Sequence, residues 1–234
     1  MGRRGVGEHR VRIVLLAASA LALTLSVVPV TTRIAQAAGD QLRLAAAATY
    51  RVVPSSGEVR VHIDWTATNR APDTVRRTST QVIRTYYYYD RISFSVPAEA
   101  RSIRASSGGS RLGVSVSAKR TFRDVTMRIP KLYYGQTRHY QVDFSLPGGK
   151  PRSPSDIRVG RAFTTFTAWG WGDPGLGTVR IVMPAGFDAE GYGNDVTKRV
   201  YKDRVELTSG RIADSYEWYR VILADRAPAL THAT

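Results

Sequence analysis

Apolar and polar residues alternate along most of this chain with a period of two. Val59, Val61, Ile63 and Trp65 stand between Arg60, His62, Asp64 and Thr66, a pattern that predicts a strand with one face in a core and the other in water. The alternation returns at Ile92-Phe94-Val96, Leu112-Val114-Val116, Val125-Met127-Ile129 and Tyr140-Val142-Phe144-Leu146, then at Val179-Ile181-Met183 and Tyr216-Trp218. Turn formers part these runs: Pro54-Ser55-Ser56-Gly57, Ser106 to Ser110, Pro147 to Pro154 and Asp173-Pro174-Gly175. Many short strands joined by polar turns predict an all-β fold, an antiparallel β-sandwich of two packed sheets with a saddle-like outline. Val61, Ile63, Phe94, Val142, Phe144 and Ile181 are its expected core. Only Val75 to Tyr87 is long enough for a helix, and its Thr and Tyr content favours a strand or an irregular edge.

The amino-terminal stretch breaks the alternation. Arg3, Arg4, Arg10 and Arg12 precede Ile13 to Val30, 18 residues without a charge, and Ala35-Gln36-Ala37 follows. A positive region, an apolar run and a small-x-small site predict a signal peptide over 1–37, cleaved after Ala37. The alternative is a retained membrane anchor, because about 18 apolar residues approach the lower limit for spanning a bilayer. Pro29 and the small-residue site favour cleavage. Gly5-Val6-Gly7 after Arg3-Arg4 lacks the hydrophobic residues of twin-arginine export, so ordinary secretion is expected. The expected location is extracellular, with association to the cell wall. Residues 38–226 then form the β-sandwich domain, with a candidate sub-boundary at 147–156 (PGGKPRSPSD), and 227–234 (APALTHAT) form a disordered tail.

Composition adds two constraints. The absence of cysteine excludes disulfides and thiolate metal sites, so an exported chain must hold itself together by burial. The formal charge is +15, and losing residues 1–37 removes five arginines and Glu8 to leave +11. Such a charge suits an anionic cell-wall polymer or another extracellular protein as partner. The arginines are scattered, with lysine only at 119, 131, 150, 198 and 202. Spread this way, they describe a solvated basic surface and no specific nucleic-acid site. A membrane partner is expected only if the anchor is kept.

Candidate chemistry is sparse. Of the histidines at 9, 62, 139 and 232, none has the one-turn spacing with an intervening carboxylate that a zinc peptidase helix requires. His62 and His139 fall on the polar phase of their strands. There is no G-x-S-x-G elbow and no phosphate loop. Asp188, Glu190, Asn194 and Asp195 share the loop DAEGYGND, which matches no calcium-loop template. An enzyme would need an unrecognised carboxylate pair such as Asp64 with Asp143. No catalytic residue, metal or cofactor is therefore expected. Aromatics remain as binding candidates: Trp169 and Trp171, two apart and so on one face of a strand, and Tyr86 and Tyr88 from the run Tyr86 to Tyr89. Large aromatics also anchor sandwich interiors, and a core role is the simpler expectation for the tryptophans.

The order of these pieces carries a resemblance. "VHIDWTATN" is followed by "FSVPAEARSI", "LYYGQTRHYQVDFSLPGG" and "RAFTTFTAWGWGDPGLGTVRIVMPAGF". Over roughly residues 48 to 226 this resembles the amino-terminal β-domain that precedes a gluzincin-type, zinc-peptidase-like domain in secreted or membrane-bound actinobacterial proteins. It is similar, more distantly, to the amino-terminal β-saddle of aminopeptidase N. In that family the zinc motif lies downstream, and the sequence through Thr234 contains none, so the resemblance implies the β-domain without its catalytic domain. The expected function is a non-catalytic accessory or interaction domain. The alternative is a carbohydrate- or cell-wall-binding module that uses exposed aromatics and arginines.

Overall fold

The computed structural model describes residues 30–36, 41–190, 196–212 and 218–225. The expected apolar signal segment up to residue 29 and the tail from 226 onward lie outside them, as do Tyr216 and the 191–195 part of the acidic loop.

The period-two segments form strands that assemble into three sheets. The largest runs β15 (Thr197–Val200), β16 (Arg204–Thr208), β13 (Gly177–Pro184), β2 (Leu42–Val53), β3 (Glu58–Asn69), β10 (Thr137–Pro147), β6 (Arg101–Ser107) and β7 (Ser110–Leu112). A second runs β1 (Val30–Gln36), β5 (Val82–Pro97), β9 (Phe122–Tyr133) and β8 (Val114–Ala118), with β4 (Thr74–Arg77) also on β5. The third runs β11 (Arg158–Val159), β12 (Phe163–Trp169), β17 (Trp218–Asp225) and β14 (Phe187–Glu190). The all-β sandwich is thus observed, with two amendments to the expected pattern. A third, smaller sheet is present, and the two larger sheets are mixed, because β2 pairs with β13 and β1 with β5 in parallel.

Register explains why one face of each strand is dry. Tyr140 lies opposite Trp65, Val142 opposite Ile63, Phe144 opposite Val61 and Leu146 opposite Val59. On β5 and β9, Ile92 meets Met127 and Phe94 meets Val125. All of these side chains are buried, as is Ile181, so the six expected core residues are core. Each is worth about 1.5–3 kcal/mol of transfer free energy where fully buried. Trp65 and Phe94, with ring centroids 5.5 Å apart, join the two large sheets.

Two expected segments depart from the pattern. Leu112-Val114-Val116 is not a buried strand: Val116 is 44% exposed, and Leu112 and Val114 are only half-buried. The chain changes sheets at Gly113, so β7 and β8 are short edge strands on different sheets, where the core covers Leu112 and Val114 in part and leaves Val116 out. The 75–87 stretch divides into β4 and the start of β5, with Val75 exposed.

A hub that no periodicity announces ties the sheets together. Asn69 is fully buried at the end of β3. Its Nδ2 donates to the carbonyls of Tyr87 (3.2 Å) and Leu132 (2.9 Å), and its Oδ1 accepts from the Ala71 amide (2.7 Å). It thereby fixes the end of the eight-stranded sheet to β5 and β9. At the amino-terminal end, Val30–Gln36 runs parallel to Val82–Tyr88, so the stretch just before the expected cleavage point lies along β5. Among the described residues no helix is long and apolar enough to cross a membrane.

Candidate functional site

The segment GWGDPGLGTV forms a corner rather than a platform. β12 ends at Trp169, and the chain turns before Trp171. Asp173-Pro174-Gly175-Leu176 closes with the Leu176 amide on the Asp173 carbonyl (2.9 Å). Proline occupies the second position and Gly175, at φ +74°, the third, as a type II turn demands. Asp173 fastens this turn to β2: its carboxylate accepts the Leu44 amide (2.8 Å) and its own amide donates to the Leu44 carbonyl (2.8 Å). Gly177 admits no side chain, because a Cβ there would lie 2.1 Å from the Trp171 carbonyl oxygen and 2.1 Å from Ile212.

The two tryptophans consequently part company. Trp171 is 1% exposed, stacks on Tyr50 (6.5 Å, 6° between planes), meets Phe144 edge-on (6.2 Å) and donates its indole N–H to the Ser95 carbonyl (2.8 Å). That burial removes Trp171 from the binding candidates and corrects the expected pair. The turn at Gly170 breaks the shared strand face, and the core claims the second ring. Trp169 stays half-buried at a surface cavity.

The tyrosine run divides as a strand must. Tyr89 is buried and Tyr87 packs against the core, while Tyr86 and Tyr88 take the other face and are half-buried. Tyr88 lies 5.9 Å from Tyr133, with the Lys131 ammonium 4.6 Å from its ring centroid, so much of its surface already has protein partners.

The outward face of β3 and β10 gathers side chains that sequence spacing kept apart. Asp143 lies opposite His62 in the strand register, and its Oδ1 is 2.7 Å from His62 Nδ1. Asp64 Oδ1 lies 3.3 Å from His62 Nε2. Burial of the imidazole lowers its pKa, but the Asp143 hydrogen bond and the charges of Asp143 and Asp64 outweigh it, so the net direction is upward. Both carboxylates are more than half exposed, and the group sits on an open sheet rather than in a cleft. His139 is on the same face, bonded to Thr66 Oγ1 at 3.1 Å. In the acidic loop, Asp188 pairs with Lys198. Among the described residues no group of three or more His, Asp or Glu side chains is arranged to hold a metal ion.

One basic concavity was not foreseen. A cavity of about 670 Å³ is lined by Arg101, Arg120, Arg123 and Lys150 against one carboxylate, Glu99. The segment 147–156, expected to mark a sub-boundary, lines part of it: Gly148 donates to the Gly57 carbonyl and Gly149 to the Ile157 carbonyl, both at 2.8 Å. Arg123 is held by the Ala98 carbonyl (2.7 Å). Among the described residues Arg101, Arg120 and Lys150 form no ion pair. A second cavity of about 320 Å³ shares Ala98, Glu99 and Arg120 with the first and is lined further by Thr121, Asp156, Thr167 and Trp169. The four cations lie between 101 and 150 with no regular spacing, so only the fold unites them. The Gly-Gly-Lys-Pro loop was the sole local signal, and it reads equally well as a linker.

No family model matches the chain, and no curated protein matches it. Among solved structures, similar ones include an M1 zinc metallopeptidase from Deinococcus radiodurans, with TM-score 0.47 and 15% identity over 80% of this chain and 43% of that one. A mutant of the same enzyme bound to a Tyr-Ser-Ala substrate gives TM-score 0.45 and 16% identity, over 79% of this chain and 43% of that chain. This chain thus spans less than half the length of the solved chains it is similar to.

Proposed function

We propose that this chain acts outside the cell as a non-catalytic accessory or interaction domain, related to the amino-terminal β-domain of zinc-peptidase-like proteins. One observation carries this reading. The residues that give the sequence its resemblance are engaged in holding the scaffold: Trp171 fills the core, Asp173 clamps β2 and Gly177 makes room for the Trp171 carbonyl and Ile212. Residues committed in this way specify a shape rather than a reaction. The signal-like segment over 1–37 supports export. The test is to purify the exported protein, measure its zinc content by atomic emission, and incubate it with a mixed peptide library. Substoichiometric zinc and an uncut library are expected, and metal-dependent cleavage by this chain would overturn the proposal.

Attachment to the cell wall is the second reading, favoured by the arginine-lined cavity beside Trp169. Retention on an anionic wall polymer should then fall steeply between low and physiological salt, as screening shortens the reach of the arginines.

A further inference from the structure

We infer that the two neighbouring cavities, which share Ala98, Glu99 and Arg120, form one binding site for an acidic saccharide. The inference rests on the wall-binding reading for the ligand's source, but not for its chemistry. The larger cavity presents Arg101, Arg120, Arg123 and Lys150. Guanidinium forks take the paired oxygens of a carboxylate or phosphate in a bidentate manner. None of these four cations has a carboxylate partner among the described residues, so an incoming anion displaces no ion pair.

The smaller cavity has the opposite character. Glu99 and Asp156 stand there with Thr121 and Thr167 beside the indole of Trp169. Two carboxylates against the single cation Arg120 disfavour an anion, yet they accept hydrogen bonds from hydroxyls. An aromatic wall next to carboxylate acceptors suits a sugar ring, whose C–H face is apolar and whose rim donates O–H groups. Because Ala98, Glu99 and Arg120 line both spaces, a ligand can lay a neutral ring along Trp169 while its acidic group reaches the arginines. A bare anion or a neutral glycan satisfies only half of the site.

Isothermal titration of the whole protein tests this with three probes: a hyaluronan hexasaccharide (in which neutral N-acetylglucosamine alternates with glucuronate), cellohexaose and inorganic pyrophosphate. The hyaluronan hexasaccharide should bind at least about tenfold more tightly than either of the others, since each of those lacks one class of contact. Lys150→Ala and Arg120→Ala, both at exposed positions, should each weaken it several-fold without changing the melting temperature. Trp169→Leu should weaken the hexasaccharide and leave pyrophosphate unchanged. Equal affinity for pyrophosphate, or for cellohexaose, would overturn the two-part site, as would indifference to Lys150→Ala and Arg120→Ala or no binding of the hexasaccharide at millimolar concentration. If the hexasaccharide binds as expected and a wall-polymer column does not retain the protein, the wall-binding reading fails alone. Retention unaffected by Lys150→Ala and Arg120→Ala would sink the site and spare that reading.

Discussion

The hydroxyl of Tyr50 closes on the backbone of Trp169 from both sides, donating to its carbonyl and accepting from its amide, each at 2.8 Å. The two residues are 119 positions apart, on the largest and smallest sheets. Tyr50 also stacks between Phe166 (5.8 Å) and Trp171 (6.5 Å). One phenol therefore joins the end of β12 to β2, and the position of Trp169 at its cavity depends on that link. Burial raises the Tyr50 pKa far above the ordinary phenol range, although the Trp169 hydrogen bond pulls the other way. The group stays a neutral donor and acceptor throughout the working pH range.

Tyr50→Phe keeps the stacking and removes the double hydrogen bond. It leaves a backbone N–H and a C=O of Trp169 without this partner, which should cost about 1–3 kcal/mol. Urea unfolding should show this as a lower midpoint with an unchanged slope. A loss too small to measure would mean that water replaces the hydroxyl without penalty.

Phe144→Ala should cost about 3–5 kcal/mol, because Phe144 is buried on β10 and meets Trp171 edge-on. Trp171→Phe should destabilise as well, since the Ser95 carbonyl loses its indole donor. Both effects belong to thermal or urea unfolding. If Trp171→Phe left stability untouched and abolished ligand binding instead, its assignment to the core would be wrong.

The strands that pack between layers were legible in the sequence because burial imposes a period of two on Val59 to Trp65, Tyr140 to Leu146 and Val179 to Met183. The same period misled at Leu112 to Val116, where alternation persists on edge strands that the core covers only in part. Asn69 was invisible because a buried amide leaves no pattern when its partners are backbone carbonyls of distant strands. Arg101, Arg123 and Lys150 read as scattered surface charge for a similar reason. Their convergence depends on the turn after β5, the start of β9 and the loop after β10 meeting in space.

His62 provides a pH-dependent signal. Its pKa lies above the ordinary value of about 6.5, because Asp143 and Asp64 favour the imidazolium over the opposing effect of burial. A raised folded-state pKa contributes stability that is fully present below about 6.5 and is lost as pH rises through the folded value. The nuclear magnetic resonance titration midpoint of His62 should therefore lie above the ordinary histidine value of about 6.5. Asp143→Asn should lower the His62 midpoint. A midpoint unmoved by that change would separate the ion pair from the shift.

Processing at the amino terminus should change the edge of the second sheet. Val30–Gln36 pairs in parallel with Val82–Tyr88, while cleavage after Ala37 would remove that strand with the signal peptide. The outer edge of β5, including Tyr86 and Tyr88, would then present N–H and C=O groups to water. Exposed edges of this kind recruit other strands. Mass spectrometry of the exported protein should find Ala38 as its first residue. Alternate amides of Val82 to Tyr88 should exchange with deuterium faster in that protein than in a chain that keeps 30–36, while Thr85 to Val82 keep their β4 pairing on the other side. Recovery of Met1-containing protein from membranes, with those amides protected, would show that the segment stays as anchor and edge strand together.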